Sequence, residues 1–169
     1  QAPTYAIDQV EEDPNPNIRR RITGHMTVPL YLDGPDPGAK LVLGADGLPK
    51  QNGTADYGFL VHVPNSATTG TPRALVQNGH GLLGAMTEGQ NGYLATFADE
   101  KGYVAFGVDM IGMAADDEQT VIKAISQDPM IFRAFVDRQL QGMLDSLLAM
   151  RMMKGRFYQD PQVQFGGVS

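Results

Sequence analysis

Apolar residues recur at alternate positions in two early segments of the chain. Between residues 20 and 32 they fall mostly on even positions, and residues 57–63 alternate in the same way before the chain reaches Pro64. A period of two is typical of strands that bury one face. The pattern predicts antiparallel strands connected by the turn-rich residues 33–53, preceded by residues 1–19 as an N-terminal arm extended over the surface.

The pattern changes after residue 73. Residues 74–78 form a short strand-like run that enters a glycine-rich turn, and residues 103–108 are almost continuously apolar, as in a strand buried on both faces. A helix that ends at Gly102 separates them, because glycine readily adopts the left-handed cap conformation. Its expected apolar face is formed by Tyr93, Leu94, Phe97 and Ala98. The order strand, helix, strand predicts a right-handed crossover and a parallel pair.

A long amphipathic helix is predicted after Asp128, which suits the N-cap, with Pro129 at the first helical position and Gly155 past the end. Its apolar stripe consists of Phe132, Val136, Leu140, Met143, Leu144, Leu147 and Leu148. We expect this stripe to pack on the sheet. The acidic residues 116–118 are interpreted as a solvated helix start. Residues 20–169 are therefore predicted to form part of a single α/β domain.

Composition and charge exclude several classes of function. The chain has 169 residues and a formal net charge of -6, which argues against a nucleic-acid partner. The absence of cysteine excludes disulfides, thiolate catalysis and cysteine zinc sites. No apolar run is long enough for a transmembrane segment, and we assign no metal site and expect no cofactor. Because the chain starts with Gln1 rather than Met, we expect that an upstream segment was removed, which favours a secreted or periplasmic location.

The segment from Gly79 to Gly84 matches the spacing G-x-G-x-x-G, which is also the dinucleotide-binding fingerprint. Asp109 follows the next strand, where a ribose-binding acid would lie. A dinucleotide-binding oxidoreductase is therefore one hypothesis. It requires the turn to open directly into a helix. Here, however, two further glycines follow, and a Thr-x-x-Gln capping pattern predicts that the helix begins near Thr87 or later.

The residues His80-Gly81-Leu82, placed directly after a strand, resemble the oxyanion-loop motif of the α/β-hydrolases. The order of predicted elements over residues 20–155 is similar to the first half of that fold, with antiparallel strands followed by parallel strands and crossover helices. The resemblance implies that the Leu82 N–H stabilises an oxyanion and that Gly81 permits close backbone approach. It further implies loop support by His80 and Gly79, and a substrate cleft lined by Leu83, Asp109 and Met110.

The catalytic serine of this family lies in G-x-S-x-G, on a sharp turn after the central strand. Ser169 follows Gly167-Val168 and completes half of that motif. The residues before it, 162–166, alternate with glutamine, whereas a central parallel strand is apolar on both faces. We therefore interpret residues 162–166 as a surface excursion, keep Ser169 as a secondary candidate nucleophile, and assign no catalytic residue within the chain.

The resemblance implies a serine esterase or lipase that hydrolyses a small ester or lipid through an acyl-enzyme. In this family the acid and base follow the nucleophile along the chain. We therefore expect a downstream segment or a second chain to supply all three, and the chain alone to be inactive. In the hydrolase topology residues 74–78 lie beside the nucleophile strand, so that segment should pair with them. A non-catalytic binding module is a further hypothesis, because no nucleophile is assigned.

Overall fold

The computed structural model describes residues 2–68, 74–90 and 92–165. Five strands form one mixed sheet in the order β1-β2-β3-β5-β4. They are β1 (Thr4–Asn15), β2 (Ile18–Pro29), β3 (Thr54–Pro64), β4 (Ala74–Gln77) and β5 (Tyr103–Val108). Within these ranges three α-helices accompany the sheet, namely α1 (Gly92–Lys101), α2 (Glu118–Ser126) and α3 (Phe132–Met153). An α/β architecture is therefore confirmed at the level of a mixed sheet with helices.

The antiparallel part of the sheet consists of β1, β2 and β3, and β3 also pairs antiparallel with β5. The alternation that predicted β2 is visible in its burial, because Ile22, Met26 and Val28 are fully buried. Residues 4–15, expected as an extended arm, are hydrogen-bonded to β2 along most of their length and form an edge strand of the sheet. Tyr5 explains part of this difference, since its ring packs edge-on against Phe59 and Phe157 in the core.

The strands β4 and β5 form a parallel pair connected through α1, as the sequence predicted. Gly102 ends α1 with a φ of 70°, the left-handed conformation expected of a glycine cap. The predicted apolar face of α1 is wrong in part, because Tyr93 is 74% exposed and Phe97 is 44% exposed. Ala98 is buried as predicted, together with Ala95. Small residues are needed on this face because α1 packs against β3 and β5.

The main core lies between the sheet and the C-terminal half of α3. From the sheet it contains Phe59, Val61, Phe106 and Val108, and from α3 it contains Leu148, Ala149, Met152 and Met153. The side chains that alternate with these on β3, such as Leu60, point to the opposite face of the sheet. Helices therefore cover both faces, as expected for strands joined by crossovers.

The N-terminal half of α3 turns a different face inward from the one its sequence predicts. Leu148 is buried and Leu144 packs against the core, but the rest of the predicted stripe is 42–68% exposed. These exposed residues are Phe132, Val136, Leu140, Met143 and Leu147, and together they are called the α3 stripe below. The expectation that the stripe packs on the sheet is wrong for these five residues.

The buried face of this half of the helix is polar, with Asp137, Arg138, Gln141 and Asp145 at most 8% exposed. The reason lies in residues 30–53, an irregular segment whose backbone groups need partners. Gln141 accepts a hydrogen bond from the Tyr31 N–H at 2.9 Å and donates to the Pro29 carbonyl at 3.0 Å. Asp137 accepts from the Leu41 N–H at 3.0 Å. Hydrophobic periodicity in α3 cannot reveal that these polar groups are needed, because the backbone groups that require partners lie in another segment.

The acidic residues 116–118 do lie at the start of a helix, α2, and Asp116 and Glu118 are exposed there as expected, but Asp117 is not. Asp117 is 1% exposed and forms an ion pair with Arg138 at 2.6 Å. The prediction is therefore wrong for Asp117, because a cation from α3 compensates its burial. Among the described residues, no helix is both long and apolar enough to cross a membrane.

Candidate functional site

The glycine turn follows β4 at the carboxyl end of the parallel pair, where α/β proteins commonly bind ligands. The Gly84 N–H donates to the Gly81 carbonyl at 3.0 Å, which closes a four-residue turn. Leu83, at the third position of this turn, has a φ of 57°. A closed turn with positive φ at its third residue matches type II, which normally places glycine there. A leucine held in this conformation is strained, and such strain is concentrated at functional sites.

The side chain of His80 is turned back into its own loop and is only 6% exposed. Its Nδ1 lies 2.7 Å from the Gly81 carbonyl oxygen, so Nδ1 carries the proton that it donates there. Its Nε2 accepts a hydrogen bond from the Met110 N–H at 2.8 Å. Both ring nitrogens are therefore occupied by backbone groups. His80 connects the glycine turn to the end of β5 and has no free nitrogen to act as a general base.

Leu82 lies at the second position of the turn, with 68% of its surface exposed. Among the residues that the structure describes, none accepts a hydrogen bond from the Leu82 N–H. The neighbouring Gly81 N–H donates to Glu88 Oε2 at 3.1 Å. The Glu88 carboxylate also fills the space that a Cβ at Gly84 would need. The turn therefore binds an anionic oxygen through the Gly81 amide, while the Leu82 amide has no acceptor among the described residues.

Asp109 and Met110 follow β5 and lie against this turn. Asp109 Oδ1 accepts a hydrogen bond from the Met86 N–H at 2.7 Å, which anchors the chain that leaves the turn. Met110 contacts the loop twice, through its N–H to His80 and through its sulfur, which lies beside Gly79. The structure therefore brings together the turn residues and the two residues after β5 that the sequence singled out.

An open cavity of about 240 Å³ borders the turn between the end of β4, the end of β5 and α3. Gln77, Asn78 and Gly79 line it from the strand and its turn, and Val108, Met110 and Ser146 line it from β5 and α3. The Ser146 hydroxyl donates to the Gly142 carbonyl within α3, as is common for a serine inside a helix. The residues that line the cavity carry no charge, and it reaches the glycine turn at Gly79.

The other candidate groups are dispersed or lie elsewhere. Ser169 and residues 166–168 lie outside the described residues. His62 is buried on β3, and its pKa is lowered to about 4 because burial and the nearby Arg21 disfavour the charged ring. His25 pairs with Asp8 on the surface of β1 and β2. Within the described ranges, no group of three histidine or acidic side chains is placed to hold a metal ion.

Sequence inspection missed Glu88, the residue whose carboxylate lies in the turn. Nothing in its spacing marks it, because the contact depends on the short 3₁₀ helix Met86–Gln90 that folds the chain back toward Gly81. The helix α1 starts only at Gly92, after this 3₁₀ segment. Comparisons with protein-family models, with curated proteins and with solved structures gave no match to the chain.

Proposed function

We propose that the chain supplies the oxyanion-stabilising part of an α/β-hydrolase-type serine hydrolase that acts on carboxylic esters, as an esterase or lipase. The observation that carries the proposal is the Leu82 N–H, which has no acceptor among the described residues and lies in a turn at the carboxyl end of a parallel pair. When a serine attacks an ester, the carbonyl oxygen becomes an oxyanion. A fixed amide that donates to this oxygen lowers the barrier by about 3 kcal/mol.

Each neighbour has a distinct role in this mechanism. His80 supports the loop through its two backbone hydrogen bonds, and Gly79 and Gly81 keep the approach to the amide open, because they have no Cβ atoms. Met110 lines the open cavity, and with Leu83 it borders the cleft in which the acyl group lies in this mechanism. Asp109 anchors the loop from β5 rather than reacting. The second oxyanion donor of this family is the N–H that follows the nucleophile, which the serine-bearing segment supplies.

The serine, acid and base are proposed to lie on a further segment, on the same polypeptide or on a second chain, that pairs with the outer side of β4. The two edges of the sheet support this placement. β1 carries several acidic residues, a proline and two register irregularities, features that prevent pairing at an edge. β4 has the sequence Ala-Leu-Val-Gln and carries none of these protections. The exposed α3 stripe lies on a helix next to this edge, since Gln77 donates to the Ser146 carbonyl.

The dinucleotide hypothesis gains no support from the arrangement of the turn. A pyrophosphate would need a helix N-terminus facing the glycines. The first α-helix after them starts at Gly92, and the Asp109 carboxylate is already bonded to the Met86 N–H. The hypothesis of a non-catalytic binding module rests only on the unassigned nucleophile and has no observation of its own.

Replacing Leu82 by proline tests the proposed oxyanion donor. The substitution deletes the N–H, and the second position of a type II turn accepts proline, so the fold should be retained. We expect kcat for 4-nitrophenyl butyrate to fall by about 100- to 1000-fold in the protein assembled with its serine-bearing segment. The matched control is Leu82→Ala, which keeps the N–H and should stay within about threefold of wild type. Equal activity of the two variants would refute the assignment.

A proline at Gln77 tests the proposed pairing at β4. The Asn78 N–H points toward β5, so the Gln77 N–H points outward. Gln77→Pro therefore blocks the outer edge without breaking the β4–β5 ladder. We expect Gln77→Pro to lower the rate of ester hydrolysis by more than about tenfold, because the added strand would lose one backbone hydrogen bond to β4 and its register. Gln77→Ala loses the same side-chain bond to Ser146 and serves as the control. Full activity of Gln77→Pro would exclude pairing at this edge.

A further inference from the structure

The ion pair between Asp117 and Arg138 is among the most buried charged contacts described. The Arg138 Nε donates to Asp117 Oδ1 at 2.6 Å, and the two side chains are 3% and 2% exposed. Burying two charges costs several kcal/mol, and an apolar pair of the same volume often stabilises a fold as well or better. A gain in stability is therefore a weak explanation for this buried pair. The groups that surround it suggest that it positions nearby backbone segments.

Asp117 and Arg138 each form hydrogen bonds with backbone groups, in addition to their ion pair with each other. The second carboxylate oxygen of Asp117 accepts from the Gly112 N–H at 2.6 Å and from the Ala114 N–H at 3.3 Å. Arg138 Nη1 donates to the carbonyls of Pro35 and Asp36, each at 2.7 Å. The pair therefore ties the loop after β5 to α3 and to the irregular segment that α3 supports.

The same loop holds the glycine turn. The Leu83 N–H donates to the Met113 carbonyl at 2.7 Å, and the Ala115 N–H donates to the Gly84 carbonyl at 2.7 Å, so the two segments form a short parallel bridge. These two hydrogen bonds lie on either side of Leu83. A positive φ at a leucine is strained and persists only when the surrounding structure holds it in place. A displacement of residues 112–115 would release Leu83 and, with it, the closed turn that orients the Leu82 N–H.

We propose that Asp117 and Arg138 are positioning residues that hold the Leu82 N–H in its catalytic orientation, acting through residues 112–115. Among the described hydrogen bonds, none joins either side chain to the turn, so their effect passes through the backbone bridge. The inference deepens the proposed function and rests on it for its catalytic consequence. Its structural part, that the pair controls the rigidity of the turn, concerns this chain alone.

Amide hydrogen exchange in the chain tests the structural part. Asp117→Asn retains the shape but removes the charge, and Arg138→Lys retains the charge but cannot serve both Asp117 and the two carbonyls. We expect exchange at the Leu83 and Ala115 amides to accelerate by at least about tenfold, the effect of losing one charged hydrogen bond. Exchange in the central strands β2 and β3 should stay unchanged. A uniform acceleration, or none at the turn, would reduce the pair to an ordinary core contact and overturn the proposal.

Arg133→Gln is the matched control, because Arg133 also pairs with an aspartate on α3 but makes no described contact with residues 112–115. It should leave exchange at the turn unchanged. In the assembled enzyme we expect Arg138→Lys to lower kcat by about tenfold or more while KM stays within about twofold, since an oxyanion donor acts in the transition state. A rise in KM alone would contradict this. If the wild-type enzyme hydrolyses no ester, the proposed function fails, and the exchange data still decide whether the pair holds the turn.

Discussion

Replacing Asp145 by asparagine is expected to stabilise the chain by about 4 kcal/mol at pH 8 and to leave it almost unchanged near pH 4. Asp145 is fully buried on α3, where Gln141 Nε2 donates to its Oδ1 at 2.8 Å. Among the described residues its Oδ2 has no hydrogen-bond partner. Burial raises the pKa of Asp145 from 3.8 to about 7, against smaller opposing effects of the Gln141 hydrogen bond and the Arg138 charge.

The sign of the pH dependence follows from this shift. Between about pH 4 and about pH 7 the folded state keeps a proton that the unfolded state releases. The contribution of Asp145 to stability is therefore greatest below its ordinary pKa. It declines by about 4 kcal/mol as the pH rises through the folded-state pKa and is constant above that. Asparagine retains an acceptor for Gln141 and cannot ionise, so this decline should disappear.

Urea unfolding at a series of pH values measures the effect directly, because the midpoint shifts while the slope stays constant. The control is Asp116→Asn, which alters an exposed carboxylate next to α2 and should follow the wild-type curve. If Asp145→Asn unfolds at the same urea concentration as wild type at pH 8, ionisation of the Asp145 carboxyl group does not destabilise the folded state. The raised pKa proposed for this buried group would then be wrong.

The second large effect is a difference in stability between substitutions on the buried face of α3 and substitutions on its exposed face. Leu140 and Leu147 belong to the α3 stripe and are 51% and 68% exposed, whereas Met152 is 1% exposed within the core. Met152→Ala should lower the free energy of unfolding by about 2–5 kcal/mol through cavity formation. Leu140→Gln and Leu147→Gln should each change it by less than about 0.5 kcal/mol in the isolated chain, because glutamine suits a helix and little buried surface is lost.

Chemical denaturation of the three variants tests which face of α3 is buried. Comparable losses in Leu140→Gln and Met152→Ala would mean that the stripe is buried within this chain, contrary to the structure. The proposed serine-bearing segment adds a second expectation. Where that segment covers the stripe, the glutamine variants should weaken its association, since a contiguous apolar surface of this kind marks an interaction site.

The sequence by itself determined the elements whose signals are local. Alternation predicted β2 and β3, the apolar run predicted β5, and the strand–helix–strand order predicted the parallel pair, all of which the structure confirms. Gly102 at the end of α1 is also a local signal, and Asp128 is one in part, because it caps the 3₁₀ helix Pro129–Ile131 that leads into α3 rather than α3 itself. For the same reason the glycine turn could be located between β4 and α1 from residues 79–84 alone.

Only the tertiary structure decided which face of α3 is buried and what holds the turn. The inward face of α3 is set by the unpaired backbone groups of residues 30–53, so polar side chains are buried where periodicity favoured leucines. The turn is held by Glu88, Asp109 and the Asp117–Arg138 pair, which are distant from it or unmarked in sequence. Hydrogen bonds between distant segments depend on where the chain folds back. A pattern of hydrophobic spacing carries no information about such partners.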